Sequence, residues 1–287
     1  YNAMKEDLFL PIAELDEGFV RPTYDEQVIV SYMQAGLVCM YIDEAYGTRK
    51  LKDVLYAFKE GMLTGEAISE VLGISPSDFD DEFADFVDRE HGSVLVNLEE
   101  WQRTQQSIGQ RLLEEDWESI VGLAGHMIDI LPQYIEPDSP YIAMAKAKEE
   151  LGFHNEAIQA LEQYWKNGGY DPAALTRLSG WLSDAGRAHD AIEVLQVVNL
   201  VDPLDQELHG NLGDLLLAEQ RPDEALIEYQ VALALNPHDK ATAHYRIARA
   251  HNALGDREAS QGQLLLALDV APNFRPAQRL LLELMRA

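Results

Sequence analysis

The pattern that organises the chain is clearest in residues 206–239, which read QELHGNLGDLLLAEQRPDEALIEYQVALALNPHD. The first half carries leucines at i, i+4, i+7 and i+8, the spacing of one helical face: Leu208, Leu212, Leu215 and Leu216. Pro222 suits the first turn of a second helix, where its missing N–H leaves no hydrogen bond unmade. Pro237 ends that helix, because proline cannot continue one. The stretch therefore predicts two helices joined by a short turn.

This unit recurs along the chain. Ala157, Ala191 and Ala225 follow one another at intervals of 34 residues, and Pro203 and Pro237 keep the same interval. Small residues at such positions allow two helices to approach closely. A fixed period near 34 with helix–turn–helix content is typical of tetratricopeptide repeats. The chain thus resembles tetratricopeptide-repeat (TPR) proteins, and the resemblance implies an all-α fold that contains a right-handed α-solenoid.

The pattern divides the chain into regions of different character. We expect a helical bundle over residues 1–92, a transition over 93–137, four TPR units over 138–274 and a capping helix over 275–287. The transition holds a degenerate repeat, residues 101–134, in which Ile120 replaces the usual alanine. The four regular units are 138–171, 172–205, 206–239 and 241–274. The capping helix would cover the end of the stack with three leucines: Leu280, Leu281 and Leu284.

Charge and composition restrict the classes of function. The chain has 22 basic and 50 acidic residues, a net charge of −28, which argues against nucleic acid and anionic membranes as general partners. No apolar run is long enough to span a bilayer. One cysteine, Cys39, excludes an internal disulfide framework. Asn2 and Ala3 before Met4 resemble a cloning remnant, so we expect the chain to be a piece of a longer protein.

Residues 4–92 do not follow the repeat pattern. Apolar periodicity predicts a loop, a long helix near 25–46, a second helix ended by Gly61, a third near 64–72, and a fourth that begins at Ser75–Pro76. The fourth helix points aromatic and apolar side chains inward: Phe79, Phe83, Phe86 and Val87.

This stretch resembles the C-terminal helical part of bacterial gluzincin-type peptidases of the peptidase MA-like kind. The matching segments are LPIAEL at 10–15, the helix end Tyr46–Gly47, and VLGIS at 71–75 before DDEF at 80–83. In such proteins a zinc-binding HExxH helix lies upstream, and TPRs often lie downstream. None of the eight histidines here is followed by glutamate with a second histidine at i+4. We therefore expect no zinc, no other cofactor and no hydrolase activity.

Other reactive side chains have structural explanations. The fourth helix is rich in acids from Asp78 to Glu90, which we interpret as a solvated face rather than a cation site or a docking site for a basic partner. His244 and His251 fall at packing positions of the repeat. Cys39 lies on an apolar helix face and is expected to be buried and inert.

The candidate ligand site is the concave groove of the repeats. The TPR resemblance implies that certain positions of each first helix point into this groove. The residues assigned to binding are Lys146, Thr176, Arg177, Asn211, Asp214, Tyr245, Arg246, Arg249 and Asn252. Residues 240–287 carry seven basic and four acidic side chains, so the basic character gathers at this end.

One TPR variant, the carboxylate clamp, captures a peptide C-terminus. Asn211 and Arg246 match two of its places. Three positions depart from it: Thr176, Gly180 and Thr242. A looser site for an anionic peptide on Arg177, Arg246 and Arg249 is the working hypothesis, and pairing of these arginines with nearby acids is the alternative.

The expected function is a non-catalytic protein–protein interaction module that binds an extended peptide or protein segment, without nucleic acid and without membrane insertion. The alternative is an accessory fragment of a zinc metallopeptidase whose HExxH domain lies upstream. The peptidase resemblance implies a cell-envelope or periplasmic location. Without it we expect a cytoplasmic one.

Overall fold

A computed structural model describes residues 1–286, in which all regular secondary structure is helical. The predicted all-α class is confirmed. Contacts divide the chain into two compact units, the first comprising Tyr1–Gln106 and the second beginning at Ser107.

The first unit contains five helices and most of a sixth. Each helix predicted from periodicity is present, and the second predicted helix begins at Thr48. The bounds are α1 Asn2–Lys5, α2 Glu17–Val20, α3 Gln27–Tyr46, α4 Thr48–Lys59, α5 Thr64–Leu72 and α6 Pro76–Glu114.

Aromatic rings form the core of the first unit. Phe79, Phe83 and Phe86 point inward as predicted, and the ring centroid of Tyr41 lies 5.4 Å from those of Phe79 and Phe86. The Tyr41 hydroxyl donates to Glu82 Oε2 at 2.5 Å. Glu82 therefore acts as a hydrogen-bond acceptor for the core, which the prediction of a solvated acidic face missed.

Side chains of α3 and α6 fix the loop that precedes α2. Gln34 is buried and pairs with both backbone groups of Leu10, accepting its N–H at 2.9 Å and donating to its carbonyl at 2.6 Å. Asp80 Oδ1 accepts the Ile12 N–H at 2.8 Å, and partial burial raises the pKa of Asp80. Asp80 is thus a second structural acid on α6. Within residues 1–286, no group of three or more His, Cys, Asp and Glu side chains is arranged to hold a metal ion.

Helix α6 runs without interruption past the predicted boundary at residues 92 and 93. The carboxylate of Asp88 occupies the space beside Gly92 where a Cβ would lie. Beyond it, Val94, Leu98 and Trp101 continue the buried stripe. An isolated helical glycine costs only about 1 kcal/mol relative to alanine, so continued burial outweighs it.

The second unit contains the repeats. Each of the four predicted units holds one pair of helices, and a final helix follows them. The bounds are α7 Trp117–Ile130, α8 Pro140–Glu150, α9 His154–Lys166, α10 Pro172–Asp184, α11 Ala188–Val201, α12 Gln206–Ala218, α13 Pro222–Ala234, α14 Lys240–Ala253, α15 Arg257–Val270 and α16 Arg275–Arg286. In α16, Leu284 is buried, and Leu280 and Leu281 pack beside it as predicted.

One position of the second helix is completely buried in every repeat. Ile120 occupies it in the degenerate repeat and is 0% exposed. In the regular repeats the position holds a small residue that is also 0% exposed: Ala157, Ala191, Ala225 and Ser260. The Ser260 hydroxyl donates to the Ala248 carbonyl oxygen at 2.9 Å, so its polar group is satisfied within the contact.

The turn inside each repeat requires a left-handed backbone. The φ angles at this position are 56° for Glu115, 81° for Gly152, 76° for Gly186, 59° for Gln220 and 80° for Gly255. Glycine adopts such angles without steric cost, whereas other L-residues are strained by roughly 1–2 kcal/mol. Two of the five turns therefore carry a small local strain.

Aspartates recur at the start of three first helices. Asp171 accepts the Ala174 N–H at 2.7 Å, and Asp239 accepts the Thr242 N–H at 3.0 Å. Asp205 caps α12 in the same way, through the N–H groups of Glu207 and Leu208 at 2.8 and 3.2 Å. Such caps satisfy backbone donors that the helix itself leaves unpaired.

Both histidines are partly buried, and the cysteine is exposed. His244 Nδ1 lies 2.8 Å from Gln263 Oε1 of the neighbouring helix, in agreement with a packing position. His251 Nδ1 lies 3.8 Å from Asp256 Oδ2. The burial predicted for Cys39 is wrong, because its side chain is exposed at the edge of an apolar depression. Partial desolvation there still raises the pKa of its thiol.

Among the described helices, none is both long and apolar enough to cross a bilayer.

Replacement of Ala225 tests the close contact. Ala225→Leu places extra atoms in a fully occupied space and should lower the free energy of unfolding by about 1–3 kcal/mol. Gln220→Gly, in the exposed turn of the same repeat, removes the left-handed strain and should leave stability equal or slightly higher. Urea unfolding followed by circular dichroism measures both. A neutral Ala225→Leu variant would show that the assigned repeat phase is wrong.

Candidate functional site

First helices of adjacent repeats border an open groove whose lining combines polar side chains with Leu195, Leu215 and Ala218. A space of about 440 Å³ lies between α10 and α12. It brings together three of the predicted site residues: Thr176, Asn211 and Asp214. A Cβ on Gly180, which also lines it, would meet no atom within 4 Å, so the groove is open at this point.

At the edge of this groove, Asp214 holds two predicted binding residues. Its Oδ2 accepts from Arg246 Nη2 at 2.7 Å, and its Oδ1 accepts from Arg249 Nη1 at 2.9 Å. The Tyr229 hydroxyl also donates to Oδ1, at 2.8 Å. Sequence reasoning left open whether these arginines pair with acids, and the structure shows that both share this one. We call these four residues the Asp214 cluster; its charged groups sum to one excess positive charge.

Two glycines on α12 make room for the Asp214 cluster. A Cβ on Gly210 would overlap the guanidinium of Arg246, and a Cβ on Gly213 would overlap the ring of Tyr229. Tyr229 is completely buried, and burial followed by the charge of Asp214 raises the pKa of its hydroxyl. The hydroxyl therefore remains a donor. Tyr229 is not among the site residues predicted from the sequence.

The cluster keeps its guanidinium groups oriented and partly accessible. The Arg246 and Arg249 side chains are 25% and 38% exposed. Each guanidinium donates one of its five N–H groups to Asp214, so the other N–H groups can donate to an acceptor on a ligand. The Arg249 guanidinium also lies 6.0 Å from the ring centroid of Tyr245. That ring packs edge-on against Phe274, with centroids 5.6 Å apart.

Predicted site residues of the earlier repeats are held by other contacts. Arg177 Nη1 pairs with Glu149 at 3.0 Å, and its guanidinium lies 6.0 Å from the Trp181 ring. The Lys146 ammonium lies 5.6 Å from the ring centroid of Trp117. These two cations do not join the Asp214 cluster.

Two asparagines remain available. Asn211 is half-buried in the groove, and Asn252 is exposed one turn beyond Arg249. Neither side chain makes a hydrogen bond with another described residue. An asparagine offers both a donor and an acceptor, which matches the backbone of an extended peptide.

The helix pairs of the second unit repeat every 34 or 35 residues. Each regular pair has one small, completely buried residue and one left-handed turn. The second unit is a TPR α-solenoid.

Solved structures include proteins of similar fold. YrrB, described as a TPR protein with an unusual peptide-binding site, is 18% identical with a TM-score of 0.52, over 61% of this chain and 89% of that one. MamA is 16% identical with a TM-score of 0.49, over 59% and 90%. The first TPR of Spaghetti (RPAP3), bound to the HSP90 peptide SRMEEVD, is 21% identical with a TM-score of 0.38, over 40% and 90%.

No protein-family model matches the chain, and no curated protein matches it. The resemblance of residues 4–92 to peptidases therefore stays a prediction.

Two glycines within first helices, one buried against Tyr229 and one exposed, test the architecture of the site. Gly213→Ala forces Tyr229 away from Asp214 and should lower the free energy of unfolding by about 1–3 kcal/mol. Gly180→Ala meets open space and should instead stabilise α10 by about 0.5–1 kcal/mol. Thermal unfolding compares the two variants. Equal effects would show that Tyr229 does not pack against Gly213.

Proposed function

We propose that the TPR solenoid is a non-catalytic protein-interaction module whose concave groove binds an extended peptide with acidic residues. One observation carries the proposal: Arg246 and Arg249 share a single carboxylate beside an open groove. Their surplus positive charge and unused donors suit a ligand carboxylate, whose geometry fits a guanidinium fork. The fold it shares with YrrB, described as having an unusual peptide-binding site, supports it.

Other residues of the groove would contact the remaining parts of such a peptide. Asn211 on α12 would pair with the peptide backbone, and Thr176 and Ser183 supply further hydroxyls from α10 on the facing wall. The ring of Tyr245 offers an apolar contact beside Arg249. A peptide laid along α10, α12 and α14 would therefore meet polar groups first and the Asp214 cluster last.

Charge restricts where an acidic ligand can bind. The whole chain carries a net charge of −28, whereas residues 240–287 have three more basic than acidic side chains. Surface charges are screened beyond about 8 Å at physiological salt, so this local excess acts on a bound peptide. Binding should be confined to this end of the solenoid and should weaken as salt rises.

Removal of both guanidinium groups tests the proposal. The probe is an array of short peptides of equal length that differ only in the number of Asp and Glu residues. Acidic peptides should bind the unmodified chain, and Arg246→Ala with Arg249→Ala should weaken them at least about tenfold, or 1.4 kcal/mol. The unfolding free energy should fall by no more than about 1 kcal/mol, because partly exposed ion pairs contribute little. Fluorescence polarisation at low salt measures the affinity.

Two further variants test whether binding depends on these two arginines and on their shared carboxylate. Arg21→Ala with Arg103→Ala makes the same charge change on exposed arginines of the first unit and should leave binding unchanged. Asp214→Asn releases both groove arginines from their shared carboxylate and should tighten the acidic peptides. The proposal is wrong if no acidic peptide binds, or if the Arg246 and Arg249 double variant binds as well as the unmodified chain.

A further inference from the structure

Helix α3 is apolar on both of its faces. Residues 27–42, QVIVSYMQAGLVCMYI, contain no charged side chain. One face forms the core through residues such as Val38 and Ile42. The opposite face exposes Ile29, Tyr32 and Met40 by 70%, 68% and 60%. A helix that is apolar all round is normally covered on all sides, so this exposed face has the composition of an interface.

Helix α4 extends the apolar face and forms a slot with α3. A depression of about 230 Å³, the α3–α4 slot, separates the two helices. Its lining is almost entirely apolar and includes Phe19, Val38, Cys39, Leu55 and Phe58. A cavity of roughly 150 Å³ already admits benzene, so the slot is large enough for one aromatic or large aliphatic side chain.

Basic side chains border the slot on α4. This helix reverses the charge of the chain, with four basic residues and one acidic residue: Arg49, Lys50, Lys52, Lys59 and Asp53. Lys50 donates to the Val71 carbonyl oxygen. Arg49, Lys52 and Lys59 form no ion pair with any described residue, although acids outnumber bases more than twofold in the chain.

Helical geometry places two of these cations beside the exposed apolar residues. Lys52, Leu55, Tyr56 and Lys59 are spaced by three or four residues, so they share one side of α4. All four are exposed. The apolar slot therefore has a basic edge.

We propose that the α3–α4 slot docks an amphipathic helix of a partner protein. This helix seats a bulky apolar side chain in the slot, covers Tyr32 and Met40, and turns Asp or Glu side chains toward Lys52 and Lys59. A central apolar anchor surrounded by complementary charge is the usual arrangement of a tight helix-in-groove contact.

Local charge disfavours the two other occupants. A second copy would bring α3 against α3. Acids stand at both ends of this helix, Asp25 and Glu26 before it and Asp43 and Glu44 in its last turn. Either relative direction would then oppose acids with acids. An anionic membrane would gain only about 1 kcal/mol per cation from the three free basic residues while meeting a chain of net charge −28.

Cys39 provides a direct reporter, because it is the only cysteine and lines the slot. The probe is a display library of helical peptides with fixed apolar spacing and randomised Asp, Glu, Lys and Arg positions. Enriched peptides should be acidic and should slow alkylation of Cys39 by iodoacetamide at least tenfold. Leu55→Asp, and separately Lys52→Glu with Lys59→Glu, should weaken the enriched peptides at least tenfold.

Controls separate the slot from general charge effects. Lys166→Glu with Lys240→Glu makes the same charge reversal on exposed lysines of the repeats and should change nothing. Arg246→Ala with Arg249→Ala should also leave these peptides bound. Enrichment of basic or uncharged peptides would overturn the proposal, as would peptides that leave Cys39 unprotected. Protection of Cys39 by phosphatidylserine vesicles alone, or by raised concentration of the chain itself, would overturn it in favour of a membrane or a second copy.

Discussion

The solenoid depends on helices that approach each other too closely for ordinary side chains. The completely buried position held by Ala157, Ala191, Ala225 and Ser260 fixes the separation within each repeat. Once that separation and the left-handed turn are set, the rotation of each first helix is determined, and with it the set of residues that face the groove. The site depends on a similarly close contact at Gly213. A Cβ on this residue would overlap the ring of Tyr229, whose hydroxyl donates to Asp214.

The acidic excess of the chain is partly structural. Asp171, Asp205 and Asp239 recur every 34 residues and cap first helices, so the repeat itself generates negative charge. On α6, Asp80 accepts a loop N–H and Glu82 accepts a core hydroxyl. These carboxylates accept hydrogen bonds from donors within the fold.

The sequence predicted the repeats well, because small residues at a fixed interval reflect a close helix–helix contact at the same place in each regular repeat. It also assigned Asp214, Arg246 and Arg249 to one candidate site. Their mutual pairing was not predictable from periodicity, because it joins residues 32 and 35 positions apart and depends on the space that Gly210 leaves. The exposure of Cys39 was missed for a related reason: an apolar helix face indicates burial only if another element covers it.

The two candidate surfaces would hold their ligands by different forces. In the groove, a ligand carboxylate would pair with the donors that Arg246 and Arg249 do not use on Asp214, and both arginine side chains are partly exposed. Attraction between partly exposed charges is screened by salt. At the α3–α4 slot the main contribution is apolar area around Leu55, which salt does not weaken. Rising ionic strength should therefore weaken a groove ligand more than a slot ligand. The reason is that a side chain buried among apolar groups is held by its removal from water, and a carboxylate between partly exposed arginines is not.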